Sequence, residues 1–558
     1  MRVALGQFNA VLGDLAGNAE RIRRVYGEAV KGGADLVVFP ELAICGYPPE
    51  DLLLKKHFLL DNRWIVEKLA GDLGTKQFRQ APKAQATVIV GFAESNQAAT
   101  YNSAAVLERG HVTRIYRKGL LPNYGVFDER RYFQPGTEPV VLQLGGLRIA
   151  VSVCEDIWDI EWLSRFLGGV GGIQVLVNIS ASPFHVGRTE ERQSIVARCA
   201  KRFGCAVCYC NLVGGQDELI FDGRSMVVDG NGDLSCRAQA FEEDLLLADV
   251  VVAGDGMVQV NSVGPSAAQP EGPIDEVYRA LVLGTRDYVR KNGFSKVLIG
   301  LSGGIDSCVT AAIAAEALGA ENVVGITMPS QFNSPETQSD AEKLAANLGA
   351  AFLTIPISPI LEQFDRSLRS AEGWDSEGIG YENLQARIRG SILMSLSNSM
   401  GSMVLTTGNK SEIAVGYTTL YGDTAGGFAV IKDVPKTMVY ELAEHINHRA
   451  GRQIIPAAVI SRAPSAELKA GQKDTDSLPA YDLLDRIIKG YVEQDKSAQE
   501  LSESGLAEDV VRRVIQMVDR NEYKRRQSPP GVKITPKAFG KDRRLPITNR
   551  YGETVERK

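Results

Sequence analysis

The amino-acid sequence predicts two α/β domains, and three observations support this prediction. At 558 residues the chain is too long for one hydrophobic core. Apolar runs of strand length alternate with helical patterns in both halves. Between the halves, the stretch 254–273 is rich in small residues and Pro and lacks periodic apolar patterning. We therefore expect a first domain at 1–250, a linker at 251–273 and a second domain at 274–558.

Composition and charge exclude several classes of protein. A hydrophobic content of 44% with 23% charged residues is ordinary for a globular protein in water. A formal net charge of -6 gives no electrostatic reason to expect nucleic acid or an anionic membrane as a partner. The first residues lack the apolar core of a signal peptide, and no later run is long enough to span a bilayer. We expect a cytoplasmic protein whose eight scattered Cys are reduced.

The first half begins with a strand, a helix and a second strand, and further strands follow at longer intervals. The residues Asp229 to Gly232 supply turn chemistry between two apolar runs and so predict a hairpin. The predicted helix covers 18–31, and the predicted strands are 3–8, 35–39, 87–91, 147–153, 174–179 and 206–210.

The second half alternates strands and helices more regularly. An amphipathic helix at 273–291 leads into a strand at 296–301, a glycine-rich loop and a helix that stops at Gly319. A strand at 323–328, a helix at 335–348 and a strand at 351–357 continue the pattern. This alternation predicts a parallel, doubly wound sheet, with ligands at the carboxyl ends of its strands.

The segment 296–307, KVLIGLSGGIDS, combines a buried strand with a phosphate loop. A strand, a loop of small residues and a helix N-terminus present several backbone N–H groups to one anion. The Walker A motif is excluded because Asp306 stands where that motif requires Lys, and a carboxylate beside polyphosphate suits a Mg²⁺ ligand. The loop resembles the SGGxDS loop of ATP pyrophosphatases. By this resemblance ATP binds to Gly300, Leu301, Ser302, Gly303, Gly304, Ile305, Asp306 and Ser307.

The first half offers a nucleophile without a histidine partner. None of the five His stands near a Ser or Cys in a recognisable catalytic motif. Cys154 lies between the strand LRIAVSV and EDIW, where a sharp turn can expose a thiol. A helix N-terminus and a nearby cation would both favour the thiolate. Glu41 follows an apolar strand and can serve as a general base, and Lys118 can stabilise an oxyanion.

These three segments, in this order, resemble the Glu-Lys-Cys triad of the nitrilase superfamily of carbon-nitrogen hydrolases, over about residues 1–250. The resemblance implies a four-layer αββα sandwich and attack by Cys154 on an amide carbon. Glu41 would shuttle the proton, and Lys118 would help to hold the oxyanion. The stretch VFDERRYFQPG resembles the family segment that carries a second, supporting carboxylate, here Glu129.

Beyond its phosphate loop, the second half resembles the NAD synthetases. The segments YENLQARIRG, VLTTGNKSEIAVGY and NEYKRRQ carry the resemblance, and the segment 417–420 departs from the short family members, which have a Lys where Leu420 stands. The implied reaction adenylates the carboxylate of deamido-NAD and displaces AMP with ammonia. By the resemblance Asp306 and Glu412 hold Mg²⁺, while Thr407 and Lys436 approach ATP. The residues implied for deamido-NAD are Asn383, Arg387, Glu412 and Lys524.

Together the two halves resemble the organisation of glutamine-dependent NAD synthetases. The first half would be a glutaminase that feeds ammonia to the second, with Tyr124, Ser182 and Arg188 holding glutamine. The small-molecule substrates implied are glutamine, deamido-NAD and ATP, with Mg²⁺. Because protonated ammonia is not a nucleophile, we expect a shielded passage between the sites. Family members also assemble as homo-oligomers, so we expect one here.

Two other functions stay open at this point. The first half could be an assembly module without activity, which would leave an ammonia-dependent synthetase. The second half could instead adenylate a different acid or a nucleobase. A binding protein without catalysis would not need both sets of reactive groups. Use of glutamine by a Cys154 variant and turnover of deamido-NAD discriminate among these possibilities.

Overall fold

The computed structural model describes residues 1–551 with the exception of 76–84, 97–98, 255, 265–266 and 269. The chain divides into two compact units, Met1–Pro270 and Glu271–Lys558. Within the described ranges, no helix combines the length and apolar character that crossing a membrane requires. Some residues of the predicted linker (255, 265–266, 269) and of the predicted second domain (552–558) lie outside the described residues.

The first unit contains two large sheets and a short ribbon. Their strands are β1 Arg2–Gln7, β2 Leu36–Val38, β3 Thr87–Ser95, β4 Thr100–Glu108, β5 His111–Arg117, β6 Val141–Leu144, β7 Leu147–Val153, β8 Val175–Ser180, β9 Ala206–Asn211, β10 Val213–Gln216, β11 Leu219–Asp222, β12 Met226–Val228, β13 Leu234–Arg237, β14 Asp244–Val252 and β15 Val258–Val263. The sheet orders are β15-β14-β1-β2-β3-β4-β5 and β13-β12-β9-β8-β7-β6, and β10 pairs with β11. The helices are α1 Leu15–Lys31, α2 Lys56–Leu73, α3 Ile160–Phe166 and α4 Arg188–Phe203.

The two large sheets pack face to face, with helices on both outer faces. Alternation along β1 sends Val3 and Leu5 into a core shared with Val151 and Val177 of the other sheet. On the outer face of the first sheet, α1 and α2 share a second core with β2 and β3. Helices α3 and α4 form a third core with the second sheet. The resulting order of layers, αββα, confirms the predicted fold class of the first half.

The predicted linker is wrong over part of its length. Residues 258–263 form β15, which pairs antiparallel with β14 at the edge of the first sheet. Two features of this segment explain why the strand was not predicted. Only Val258 of this strand is buried, so it lacks the apolar run of a central strand, and the neighbouring Gly residues suggested a linker.

The second unit is built on the parallel sheet β18-β17-β16-β19-β20. Its strands are β16 Val297–Gly300, β17 Val323–Thr327, β18 Ala351–Thr354, β19 Met403–Thr406 and β20 Phe428–Ala429. Its helices are α5 Pro273–Lys291, α6 Ile305–Leu318, α7 Pro335–Leu348, α8 Ser358–Leu368, α9 Ile379–Met400, α10 Lys410–Val415, α11 Lys436–Ala450, α12 Ala457–Ser461, α13 Tyr481–Ile488, α14 Ala498–Glu503, α15 Glu508–Arg520 and α16 Glu522–Arg525. Helices α8 and α9 share a core with β16, β17 and β19. The predicted parallel, doubly wound sheet is confirmed, although the strand predicted at 351–357 ends at Thr354.

Candidate active sites

A buried lysine between two carboxylates forms the centre of the first candidate site. Lys118 follows β5 directly, Glu41 follows β2 by three residues, and Glu129 begins a short 3₁₀ turn. The Lys118 Nζ atom lies 2.7 Å from Glu41 Oε1 and 2.9 Å from Glu129 Oε1. All three side chains are buried. The structure thus brings together the predicted base, the predicted cation and the supporting carboxylate.

The Glu41 carboxylate is held on both of its oxygens. The Asn102 amide donates to Oε1 at 2.7 Å, and the backbone N–H of Ala181 donates to Oε2 at 2.8 Å. Gly91 packs directly against the backbone that follows Glu41. A Cβ atom at Gly91 would lie 2.3 Å from the Leu42 nitrogen. A side chain at that position would displace the backbone that carries Glu41. The orientation of this carboxylate is therefore fixed by its surroundings.

The charges of this trio shift one another's titration. Burial lowers the pKa of Lys118, but Glu129 and Glu41 outweigh this and leave it well above its usual range. Burial raises the pKa of Glu129 to about 7, despite the neighbouring Lys118 ammonium. The hydroxyl of Tyr47 also donates to Glu129 Oε1 at 2.9 Å. The lysine is therefore always charged, and Glu129 resists ionisation.

Cys154 occupies the strained turn that the sequence predicts. It is the first residue of a 3₁₀ turn after β7, and its φ of 43° lies in the left-handed region that ordinary residues rarely adopt. Burial raises the pKa of the Cys154 thiol well above its usual range, Glu41 raises it further, and Lys118 only partly opposes them. The Lys118 ammonium thus favours the thiolate, as expected of a nearby cation, but burial and the Glu41 carboxylate outweigh it. Among the neighbouring carboxylates, Glu41 has the largest effect on this thiol.

Asp156 is a site residue that the sequence analysis missed. One of its carboxylate oxygens accepts the backbone N–H groups of Gly119 and Leu120, at 3.0 and 2.8 Å. The other accepts the backbone N–H of Val153 and the Tyr116 hydroxyl, each at 2.8 Å. It therefore ties the Cys154 turn to the segment after Lys118. The acidic pair after Cys154 in the sequence was the available signal.

The residues predicted to hold glutamine lie at two depths. The Tyr124 hydroxyl is half-exposed and donates to Glu155 Oε1 at 3.0 Å. The Arg188 guanidinium lies 3.9 Å above the Trp158 ring. Burial raises the pKa of Glu155, and the Lys118 ammonium, the Tyr124 hydroxyl and the Arg188 guanidinium oppose this shift. Ser182 is buried, and it joins a separate network described next.

Ser182 belongs to a buried ion-pair network. Its hydroxyl oxygen accepts from Arg192 Nη2 at 3.4 Å, and its backbone N–H donates to Asn211 Oδ1 at 3.0 Å. Arg192 in turn pairs with Asp222 at 3.0 Å. The Arg192 and Asn211 side chains thus set the position of Ser182. The sequence analysis did not identify them, because Asn211 and the Asp222 partner of Arg192 are distant along the chain.

The second candidate site is a cavity of about 300 Å³ in the second unit. It lies at the carboxyl end of β16, where the loop to α6 begins. All eight residues 300–307 line it, together with Thr407, Glu412 and Lys436. A Cβ atom on Gly303 (φ 80°) would lie 2.0 Å from the Thr337 carbonyl oxygen, so the loop packs against α7 in a way that only glycine allows. The cavity therefore adjoins the N-terminus of α6, where backbone N–H groups can face an anion.

A lysine also lies between two carboxylates in this cavity. The Lys436 ammonium bonds to Asp306 Oδ2 and lies 3.1 Å from Glu412 Oε1. Asn409 caps α10, accepts from the Glu412 N–H at 3.0 Å and donates to Asp306 Oδ1 at 2.8 Å. Burial raises the pKa of Glu412 to about 7, opposed by Lys436 and supported by Asp306. The two carboxylates therefore face one place.

These two carboxylates fit a magnesium ion. Mg²⁺ prefers hard oxygen ligands and takes one or two protein carboxylates when substrate phosphates supply the others. Asp306 and Glu412 share a cation partner, so their oxygens can approach one ion. Across the described residues, no group of three or more His, Cys, Asp or Glu side chains could hold a metal.

The residues predicted for deamido-NAD meet around the segment 416–420. Asn383 Oδ1 accepts from the Thr419 hydroxyl at 2.7 Å. Lys524 Nζ donates to the carbonyls of Gly416 and Thr418 at 2.8 and 2.9 Å. Arg387 donates to the Leu420 carbonyl at 3.2 Å, and this backbone contact does not depend on the side chain at which the chain departs from the family pattern. In the described part of the chain, these three predicted residues do not line the cavity itself, whereas Glu412 does.

Residues far along the chain complete the cavity and were missed. Arg462 also lines it and donates to the Gly303 carbonyl at 3.4 Å. Glu467 accepts from Asn333 at 2.9 Å and Thr337 at 3.1 Å, and so connects the segment after α12 to α7. No local pattern marks these positions, because the contacts form only when the sheet is assembled.

Comparison with known proteins covers both units. The family model described as "Carbon-nitrogen hydrolase" matches residues 2–254, and the model described as "NAD synthase" matches residues 277–528. A protein named "Glutamine-dependent NAD(+) synthetase" from Thermotoga maritima is 45% identical over 100% of both chains. One of the same name from Acinetobacter baylyi is 43% identical over 98% of both chains.

Solved structures agree with these matches. The glutamine-dependent NAD+ synthetase from Acinetobacter baumannii, solved in complex with adenosine diphosphate, is 40% identical, with a TM-score of 0.76 over 98% of each chain. The glutamine-dependent NAD(+) synthetase from Cytophaga hutchinsonii has a TM-score of 0.82 over 98% of this chain and 97% of that one. At 23% identity, the second likeness shows the fold alone.

Proposed function

The chain belongs to the glutamine-dependent NAD(+) synthetases, and we propose that its two units divide this reaction between the two candidate sites. The first unit hydrolyses glutamine to glutamate and ammonia. The second uses ATP and that ammonia to convert deamido-NAD into NAD, with AMP and pyrophosphate as the other products. The observation that carries this assignment is one lysine–carboxylate trio beside a strained cysteine and another beside a phosphate loop.

In the first site, Cys154 is the nucleophile. Glu41 removes the thiol proton while Sγ bonds to the amide carbon of glutamine. The Lys118 ammonium stabilises the oxyanion, and the same proton then passes from Glu41 to the departing nitrogen, which leaves as ammonia. Water attacks the thioester with Glu41 again as base, which releases glutamate and restores the thiol. Because burial keeps Cys154 protonated, the base step is necessary.

The substrate contacts of this site follow from charge. Arg188 suits the α-carboxylate of glutamine, and Tyr124 with the Glu155 carboxylate suits the polar groups around the α-carbon. Ser182, fixed by Arg192 and Asn211, supplies a polar group deeper in the unit.

In the second site, two negatively charged groups must approach each other. The loop 300–307 presents backbone N–H groups to the phosphates of ATP, and Thr407 and Lys436 lie beside it. Asp306 and Glu412 would hold Mg²⁺, which when bound offsets charge between the substrate carboxylate and the α-phosphate. Asn383, Arg387 and Lys524 hold deamido-NAD near segment 416–420. Adenylation turns the carboxylate oxygen into a good leaving group, so that ammonia can displace AMP.

Transfer of ammonia between the sites requires protection from water. Ammonia is largely protonated at neutral pH and is then no nucleophile, so a shielded passage within the chain or between subunits preserves it. We propose such a passage and a homo-oligomeric assembly. We further propose that glutamine hydrolysis is coupled to occupancy of the second site.

The test compares two nitrogen donors in wild type and Cys154→Ala. We expect the variant to lose glutamine-driven NAD formation by about 1000-fold or more, while ammonium-driven formation stays within about two-fold. Cys208→Ala is the matched control, since Cys208 is a buried cysteine in the core between the two sheets. If Cys154→Ala keeps glutamine-driven synthesis, the first unit is an assembly module. If neither donor yields NAD although ATP is cleaved with another acid, the second substrate is different.

A further inference from the structure

Asn102 is connected to two groups of the first site at once. It lies on β4, is 1% exposed and pairs with Ala93 of β3. Its side-chain amide donates to Glu41 Oε1 at 2.7 Å, and its backbone carbonyl accepts the N–H of Lys118 at 2.9 Å. Neither the sequence motifs nor the proposed mechanism gives this residue a role.

The other end of the Asn102 amide has no partner within the described residues. Its Oδ1 atom is buried and makes no hydrogen bond with any residue that the structure describes. The amide cannot be reversed to satisfy this oxygen, because a carboxylate oxygen needs a donor and Nδ2 is the donating end. A buried polar atom without a partner costs stability. The hydrogen bond that Nδ2 donates to Glu41 offsets part of this cost and places the amide against the carboxylate.

The two oxygens of Glu41 differ in what surrounds them. Oε1 receives both the Lys118 ammonium at 2.7 Å and the Asn102 amide at 2.7 Å. Oε2 receives one backbone N–H, from Ala181 at 2.8 Å, among the described residues. Two donors directed at one oxygen stabilise negative charge there and leave it poorly placed to accept a proton. Oε2, with fewer donors among the described residues, has more capacity left to accept a hydrogen bond.

We propose that Asn102 is a positioning residue for glutamine hydrolysis, which together with Lys118 saturates Glu41 Oε1 and directs the Cys154 proton to Oε2. The S–H bond breaks as the Sγ–carbon bond forms, an O–H bond forms at Oε2, and this proton later goes to the departing nitrogen. The inference rests on the proposed function of Glu41 as the base. It assigns a task to a residue that acts through Glu41 and Lys118.

The experiment measures the pH dependence of Asn102→Ala and Asn102→Asp in the full chain. For each variant, kcat and KM for glutamine are followed against pH, and so is the rate of Cys154 alkylation by iodoacetamide, read by mass spectrometry. We expect Asn102→Ala to lower kcat at neutral pH about 10-fold or more, with KM changed less than about two-fold. The acid limbs of both profiles should move up by about one pH unit, because the ionised carboxylate loses a donor.

Asn102→Asp separates the effect of losing the hydrogen-bond donor from the effect of losing side-chain volume. It is nearly isosteric but places a second carboxylate against Glu41 Oε1, so the limbs should move further than in Asn102→Ala. Asn62→Ala is the matched control, since Asn62 is also buried in the first unit with an unpartnered Oδ1. Its amide donates to the Phe58 carbonyl at 2.8 Å, so its loss should leave both profiles in place.

The outcomes distinguish this inference from the proposed function. Unmoved acid limbs in both Asn102 variants would overturn the positioning role, whatever their effect on stability. If Glu41→Gln retains glutamine-driven synthesis, Glu41 is not the base, and the proposed function of the first site fails as well. Ammonium-driven synthesis in every variant checks that the second unit is intact.

Discussion

Each unit contains a lysine between two carboxylates, and the two trios differ in their access to solvent. In the first, the side chains of Lys118, Glu41 and Glu129 are 0%, 0% and 4% exposed. In the second, Lys436 is 2% exposed, but Asp306 and Glu412 are 18% and 17% exposed. The closed trio suits proton transfer to and from a thiol, and the open trio can admit phosphates and a metal. Under the proposed function, the same pattern of charges serves different chemistry according to what can reach it.

The largest effect is expected from removing the cation of the closed trio, which tests whether the two trios have different roles. Lys118→Met leaves two carboxylates and a developing oxyanion without a counter-charge. We expect glutamine-driven NAD formation to fall by about 1000-fold or more, and ammonium-driven formation to be retained. Both rates are measured by NAD formation from deamido-NAD and Mg-ATP.

Removing a buried charge can also unfold a domain, so the variant needs a structural control. Circular dichroism should show that the two sheets of the first unit remain. Arg130 lies in the same 3₁₀ turn as Glu129 but outside the trio, so Arg130→Met should keep both activities. Glutamine-driven activity close to wild type in a folded Lys118→Met would contradict the role given to the cation.

The same change in the open trio should have a smaller effect. Lys436→Met leaves Asp306 and Glu412 free of their ammonium partner, but a metal ion can replace it. We expect about a 100-fold loss of NAD formation with either donor, partly restored by higher Mg²⁺ concentrations. The rate of Cys154 alkylation should not change, because that thiol belongs to the first unit.

The control here is Lys343→Met, since Lys343 is an exposed residue of α7. A loss in Lys436→Met that is confined to the glutamine donor would contradict the assignment of the second trio to ATP. Equal losses of NAD formation with both donors, without any response to Mg²⁺, would show that a metal ion cannot replace the Lys436 ammonium.

The smallest expected effect concerns stability and pH. Burial raises the pKa of Glu129 to about 7 from an ordinary 4.5, so the folded chain binds this proton more tightly than the unfolded chain. Its contribution to stability is present below pH 4.5 and is lost as the pH rises to about 7. Glu129→Gln cannot titrate, so its melting temperature should fall less between pH 5 and pH 8, by about 2–6 °C.

Differential scanning calorimetry at the two pH values measures this difference. Glu20→Gln, a change on the exposed face of α1, should leave the wild-type pH dependence unaltered. An unchanged pH dependence in Glu129→Gln would show that Glu129 is ionised in the folded chain.

The sequence predicted most of this architecture because its signals are local. Buried strands, the glycine loop and the turn at Cys154 are each set by neighbouring residues, and the confirmed sheets and helices follow from them. The proximity of Glu41, Lys118 and Cys154 came from resemblance, and their roles stay predictions. Asn102, Asp156 and Arg462 were missed because their contacts span 61, 36 and 159 residues along the chain.

The protonation state of Cys154 could not be predicted for a similar reason. A helix end and a cation are visible in the sequence, whereas the depth of burial and the approach of Glu41 are not. The strand β15 was missed because an edge strand needs little apolar patterning. In each case the missing information is the tertiary environment, which the linear pattern does not contain.

Gly91 shows how the tertiary environment limits which substitutions a position can accept. It has no reactive atom, yet the first atom of any side chain there would lie 2.5 Å from the Pro40 oxygen and 2.8 Å from the Glu41 carbonyl carbon. A single added methyl group would therefore displace the backbone that carries Glu41. If Glu41 acts as proposed, that one change would silence the use of glutamine nitrogen without touching a reactive atom. A cell that carries it would then depend on free ammonium for this reaction.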